Sequence, residues 1–118
     1  MTVNYDLQNV AYRLELIMPT IIQSETFKTW REGLRDREAL ARVNARIRRL
    51  ANGNPGDVKP IGEGVSELRI SHGPGYRVYF MKHSPAIVVL LAGGDKRTQE
   101  DDIKQALRIS KNWKYSED

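Results

Sequence analysis

The chain contains no cysteine, which excludes disulfide staples and thiolate metal sites. Its two histidines, His72 and His83, stand apart in turn-like segments and do not supply the ligands of a zinc site. Both read as surface histidines rather than general acids or bases. Long hydrophobic runs are missing as well. The longest, Ala86 to Ala92, has the length of a buried strand, whereas a membrane helix needs about 20 apolar residues. Residues 1–10 lack the basic start and apolar core of a signal peptide. No Walker loop, dinucleotide fingerprint, Ser-His-Asp arrangement or metal motif occurs, so no cofactor and no metal are expected. No internal repeat or low-complexity tract is present. A soluble, cytoplasmic domain with no membrane partner is the expectation.

At 118 residues the chain fits one domain, 1–118, and a chain of this size buries roughly 65% of its unfolded surface. Residues 1–10 read as an N-terminal arm and 116–118 as a frayed tail. The formal charge is +4 and the pI near 9.5, which suits a polyanionic partner. Distribution says more than the total. Between Lys28 and Arg49 eight cationic residues face three acidic ones.

Tyr12 to Met18 alternates apolar and polar residues, which predicts a strand ended by Pro19. Ser24 is placed to cap a helix carrying Phe27, Trp30 and Leu34. Asp36 is placed to cap a second, with a stripe of Leu40, Val43, Ile47 and Leu50 and a left-handed stop at Asn52-Gly53. These two helices are expected to form a hairpin across a sheet. Val58–Ile61 can make only a short edge strand, because Pro60 donates nothing to a ladder. Val65 to Ser71, Tyr76 to Lys82 and Ala86 to Ala92 come next as strands, joined by connectors short enough for hairpins. Thr98 and Asp101 resemble a capping pair for a last helix whose apolar face is Ile103, Ala106, Leu107 and Trp113. The predicted class is α+β: an N-terminal strand, a helical hairpin, a three- to four-stranded antiparallel meander and a C-terminal helix, with the helices on one face of the sheet.

Three cations fall in or at the ends of the three consecutive strands: Arg69, Arg77 and Lys96. Neighbouring strands lie only about 5 Å apart, so a sheet can gather these charges at one phosphate-binding surface. Strand parity puts Glu67 and Arg69 on one face and Leu68 and Ile70 on the other. A Glu67–Arg69 pair on a solvated face is the alternative to a functional Arg69. Tyr76 shares parity with Val78 and Phe80, and Arg77 with Tyr79 and Met81. A guanidinium forks onto phosphate and a tyrosine ring stacks on a base, though a structural cross-strand pair would also account for them. Gly93-Gly94 predicts an abrupt turn and close backbone approach. Lys96 and Arg97 then precede a helix N-terminus, which favours anions. Arg42, Arg46 and Arg49 form a ridge opposite the apolar stripe of the second helix. It is either a solvated face or a dock for a phosphate backbone.

Gly53-Asn-Pro-Gly-Asp57, Gly64-Val-Ser-Glu-Leu-Arg-Ile70, Gly75-Tyr-Arg-Val-Tyr-Phe80 and Leu91-Ala-Gly-Gly-Asp-Lys-Arg-Thr-Gln99 together resemble the RelE/ParE toxin superfamily. The closer resemblance is to its addiction-module killer proteins, the HigB-like and phage Gp49-like toxins, over residues 12–112. The resemblance implies a RelE-like fold and the toxin half of a type II toxin–antitoxin pair. RelE-type members are ribosome-dependent, metal-independent mRNA endonucleases that block translation by driving a ribose 2′-hydroxyl onto the adjacent phosphate. On that implication Arg69, Arg77 and Lys96 stabilise phosphate charge, Lys96 also donates a proton, Glu67 is the general base, and Tyr79 or Tyr76 stacks the base. Arg42, Arg46, Arg49 and Arg97 join Tyr76 in holding RNA. The chain departs from RelE where Glu67 replaces a basic residue, and where the last helix carries Asp102 or Ile103 near a tyrosine position. The implied partners are the ribosome, mRNA and a cognate antitoxin, a small helix-turn-helix protein. The resemblance leaves two other functions open: a ParE-like gyrase inhibitor, and a non-catalytic member that only binds antitoxin.

Overall fold

The computed structural model describes residues 18–116. Five strands form one sheet in the order β1-β5-β4-β3-β2. These are β1 (Thr20–Gln23), β2 (Val58–Gly62), β3 (Val65–Ile70), β4 (Tyr76–Ser84) and β5 (Ile87–Asp95), and the helices are α1 (Glu25–Glu32), α2 (Arg37–Ala51) and α3 (Gln99–Ser116). Strands β2 to β5 make the expected antiparallel meander. β1 lies parallel to β5.

Much of the local punctuation follows the side-chain chemistry. Ser24 caps α1 by accepting from the Phe27 amide at 3.0 Å, and its hydroxyl donates to the Leu91 carbonyl at 2.7 Å, tying the helix to β5. Asp36 caps α2 by accepting from the amides of Glu38 and Ala39. The Ala39 amide, followed by the His72 ring, holds its carboxyl below the ordinary carboxylate range. Gly53, at φ 81°, closes α2 in the left-handed region. Pro60 sits in the edge strand β2, beside a break in register between Pro60 and Gly62.

Several expectations need correction. The proposed Tyr12–Met18 strand lies almost wholly outside the described residues, as do the 1–10 arm and residues 117–118 of the tail. Pro19 stands directly before β1, and its predicted role as the end of a 12–18 strand falls largely outside the described residues. A proline just before an edge strand takes no donor from the ladder, and Thr20 then donates to Ala86 O at 2.7 Å. Within α2 the inward stripe is Ala39, Val43, Ile47 and Leu50, with Leu40 only half-buried. Gly93 and Gly94 make no turn, because β5 continues through both to Asp95. The cap is Asp95, not Thr98, and it opens a 3-10 turn at Lys96–Thr98 that leads into α3.

The largest correction concerns the layers. Helices cover both faces of the sheet. Phe27, Val43, Ile47 and Leu50 pack with Leu68, Ile70, Val78, Phe80, Val88 and Leu90 on one side. Ala106, with Ile103, Leu107 and Trp113 beside it, packs with Val65, Tyr79, Met81, Val89 and Leu91 on the other. A strand buried on both faces needs apolar residues at every position rather than alternate ones. The unbroken run from Ile87 to Ala92 meets that need.

Candidate functional site

The register of β3 against β4 pairs Glu67 with Tyr79 and Arg69 with Arg77. Opposed residues of an antiparallel pair point to the same face, so two arginines stand side by side on the α3 side of the sheet. β5 continues the row, since Arg77 pairs with Gly94. Lys96 lies two residues further on. The space that a Cβ on Gly75 would occupy lies 3.4 Å from Arg77 Nη1 and 3.8 Å from Lys96 Cβ, so both side chains flank one point.

Glu67 organises this row from beneath. It is 2% exposed, and its Oε2 accepts from Gln99 Nε2 at 2.8 Å and from the Tyr79 hydroxyl at 3.2 Å. Arg77 Nε lies 3.4 Å from the same oxygen, completing an ion pair. Arg77 Nη1 donates to the Gly75 carbonyl at 2.8 Å, which fixes the far end of the guanidinium. A carboxylate sealed by three partners is out of reach of a ribose. Glu67 therefore positions Arg77 and is not placed to act as a base. Tyr79 is fully buried as well, so it stacks no base. Burial, and then the Glu67 carboxylate, push its phenol above the ordinary value.

Arg69 is held more loosely. Its Nη2 donates to Asp57 Oδ1 at 2.8 Å, and its side chain remains 41% exposed. The Arg69 Nε is buried without a hydrogen-bond partner, while the Arg77 Nε faces only the Glu67 carboxylate, at ion-pair distance. Buried donors are almost always satisfied, and the Arg69 Nε is an exception, as are the side-chain oxygens of Gln23 and Asn44 away from this row. Lys96 is exposed, and no ion pair holds its ammonium among the described residues.

The structure separates the other RNA-binding candidates from this row. Arg42, Arg46 and Arg49 lie on α2, which packs against the opposite face. Arg46 is committed to structure: its guanidinium donates to the carbonyls of Pro55, Asp57 and Arg69 at 2.6 to 3.2 Å. It pins the 54–57 loop, and burial lowers its pKa. Arg42 pairs with Glu38 at 2.8 Å on the surface. Arg42, Arg46 and Arg49 nonetheless line a shared cleft of ≈ 350 Å³ with Ile70 and Ser71. Tyr76 is half-buried between Trp30 and the stacked ring of His72, facing the helical hairpin. Arg97 folds back onto Asp95 at 2.8 Å and closes the 3-10 turn. A larger cavity of ≈ 630 Å³, floored by Phe80, Val88 and Leu50, contains none of the predicted site residues.

Sequence reasoning passed over Gln99, Asp57 and Asp102 as site residues. For Gln99 and Asp102 the signal was available. Running the inward stripe of Ile103 and Ala106 back by one turn reaches both. Among the described residues, no group of three or more His, Asp or Glu side chains is arranged to hold a metal, and no helix is long and apolar enough to cross a membrane.

A Haemophilus influenzae protein, described only as uncharacterized, is 52% identical to this chain over 81 residues, covering 69% of this chain and 82% of that protein. The two belong to one family. No family model matches the chain, and no solved structure does.

Proposed function

We propose that this protein is the toxin of a type II toxin–antitoxin pair, a RelE-like, metal-independent endonuclease that cuts mRNA on the ribosome. The observation that carries the reading is the Arg69–Arg77 row, two arginines paired across β3 and β4 on one face of the sheet, with the exposed Lys96 at its end. When a 2′-oxygen adds to the neighbouring phosphate, negative charge builds on the equatorial oxygens. Preorganised cations that meet this charge in a water-poor site lower the barrier. Arg77, clamped by Glu67 and Gly75, is the rigid member. Arg69 is free to exchange Asp57 for phosphate. Lys96, exposed at the end of the row, is placed to protonate the departing 5′-oxygen. The antitoxin proposed as partner covers the same row with acidic residues, since crowded like charges favour an oppositely charged cover.

Inducing the protein in bacteria and mapping RNA 5′ ends, beside an assay for gyrase–DNA cleavage complexes, tests this reading. Wild type is expected to arrest growth and to create new 5′ ends within coding sequences. Lys96→Ala, at an exposed position, is expected to keep its melting temperature and to cut about 10- to 100-fold less. Intact mRNA with accumulating gyrase complexes would overturn the proposal in favour of gyrase inhibition. Harmless expression of folded protein would reduce it to antitoxin binding.

A further inference from the structure

We propose that Asp102 is the general base of this cleavage, the group that takes the proton from the attacking 2′-hydroxyl; the inference rests on the nuclease reading above. Asp102 sits in the first turn of α3 with its carboxyl laid against Gly94, so closely that any Cβ there would overlap Oδ2. Gly94 is the register partner of Arg77. The missing side chain at Gly94 thus brings a carboxylate to the β5 position that pairs with the backbone of Arg77. Thr98 Oγ1 donates to Oδ2 at 2.6 Å, which sets the orientation. Oδ1 carries no hydrogen bond among the described residues, and the side chain is partly exposed. It is therefore open to a hydroxyl.

The other titratable groups near the row are spent. Glu67 is sealed beneath Arg77, Tyr79 is buried, and Asp57 is bound to Arg69 at the β2 edge. His72 faces the hairpin side, 3.1 Å from Asp36. Burial raises the carboxyl of Asp102 above its ordinary value, and the charges of Asp95 and Asp101 add to the effect, while Thr98 opposes it. Arg77 and Tyr79 of β4, Arg69 and Glu67 of β3, and Lys96 after β5 are ionisable groups on the same side. A base serves best when its pKa approaches the working pH.

The step balances without a co-reactant. Oδ1 accepts the O2′ proton as the O2′–P bond forms. The P–O5′ bond breaks with its electron pair on O5′, which takes a proton from the Lys96 ammonium. A 2′,3′-cyclic phosphate and a 5′-hydroxyl result, and solvent restores both side chains.

The test is single-turnover cleavage of a defined mRNA on purified ribosomes between pH 5 and 9, with wild type, Asp102→Asn and Thr98→Val. Asp102→Asn keeps the shape and the Thr98 bond. It is expected to slow cutting about 10²- to 10⁴-fold, to abolish the acid limb of the pH–rate profile, and to leave mRNA affinity within about threefold. The fold should not suffer. A carboxyl raised in the folded state contributes stability that is present below its unfolded pKa and lost as pH rises through the folded one. At neutral pH the neutral amide should therefore melt no lower than wild type. Thr98→Val withdraws a donor that favours the charged form, so its acid limb should move to higher pH. It decides the matter if Asp102→Asn fails to fold. A folded Asp102→Asn that cuts at the wild-type rate with its acid limb intact, or an unmoved limb in Thr98→Val, overturns the assignment of the base. Wild type that cuts no RNA overturns the nuclease reading itself.

Discussion

Arg77→Ala, built together with Glu67→Gln, is expected to reduce RNA cleavage about 10²- to 10³-fold, the usual cost of removing one preorganised transition-state donor. The companion substitution matters. Arg77 is the cation paired with a carboxylate that is 2% exposed. Removing one partner of a buried pair costs about 3–5 kcal/mol, so the single variant would confuse unfolding with loss of chemistry. Glutamine at position 67 keeps an acceptor for Gln99 and Tyr79 and carries no charge. Glu67→Gln alone should cut more slowly than wild type, since Arg77 loses its clamp, yet faster than the double variant. Near-ultraviolet circular dichroism and melting curves check the fold, and cleavage of a defined mRNA checks the rate. A folded double variant with wild-type activity would remove Arg77 from the mechanism.

Gly93→Ala is expected to be strongly destabilising. β5 runs straight through Gly93 with its Cα against the indole of Trp30, so a Cβ there would lie 2.5 Å from Trp30 Cδ2 and Cζ3. The indole cannot simply withdraw, because it packs on Phe27 at 5.6 Å and on Tyr76 at 6.4 Å. Overpacking of this kind costs about 1–3 kcal/mol or more, which lowers the melting temperature by roughly 10 °C in a domain of this size. A smaller residue at position 30 should recover part of the loss. Residues in contact couple by about 0.5–3 kcal/mol, so Gly93→Ala/Trp30→Leu is expected to melt higher than the sum of the single effects. Strict additivity would show that the glycine is not there to admit the ring.

The same glycine pair shows what the sequence could convey and what it could not. Two glycines after an apolar run are compatible with a turn or with a close approach, and only the partners distinguish them. Trp30 and Asp102 lie 63 residues before Gly93 and eight after Gly94, and no local pattern connects them. Caps were legible because Ser24 and Asp36 act within three residues of themselves. Strand parity was equally legible. The two-residue period set Arg69 apart from Leu68 and Ile70, and Arg77 apart from Val78, while the register of β3 on β4 put the two arginines on one face. The split of helices between both faces was not, although the doubly buried run from Ile87 to Ala92 implied it. Periodicity reports that a face is covered and is silent on which helix covers it. Charge deceived more than hydrophobicity did. Arg46 and Arg49 look alike on the helical wheel, yet one guanidinium is spent on carbonyls of the 54–57 loop, a distant contact that spacing cannot reveal. Glu67 and Tyr79 belong to the site as predicted neighbours of Arg77. Their burial turns them from reacting groups into supports.

Cleavage of programmed ribosomes carrying either an all-RNA message or one with a single 2′-deoxy nucleotide at the cut position puts the whole account at risk. If the row of cations serves attack by a ribose oxygen, the all-RNA message yields a 2′,3′-cyclic phosphate and a 5′-hydroxyl, and the deoxy message survives intact at that position. Equal cutting of both messages, or no cutting of either by folded protein, would contradict it.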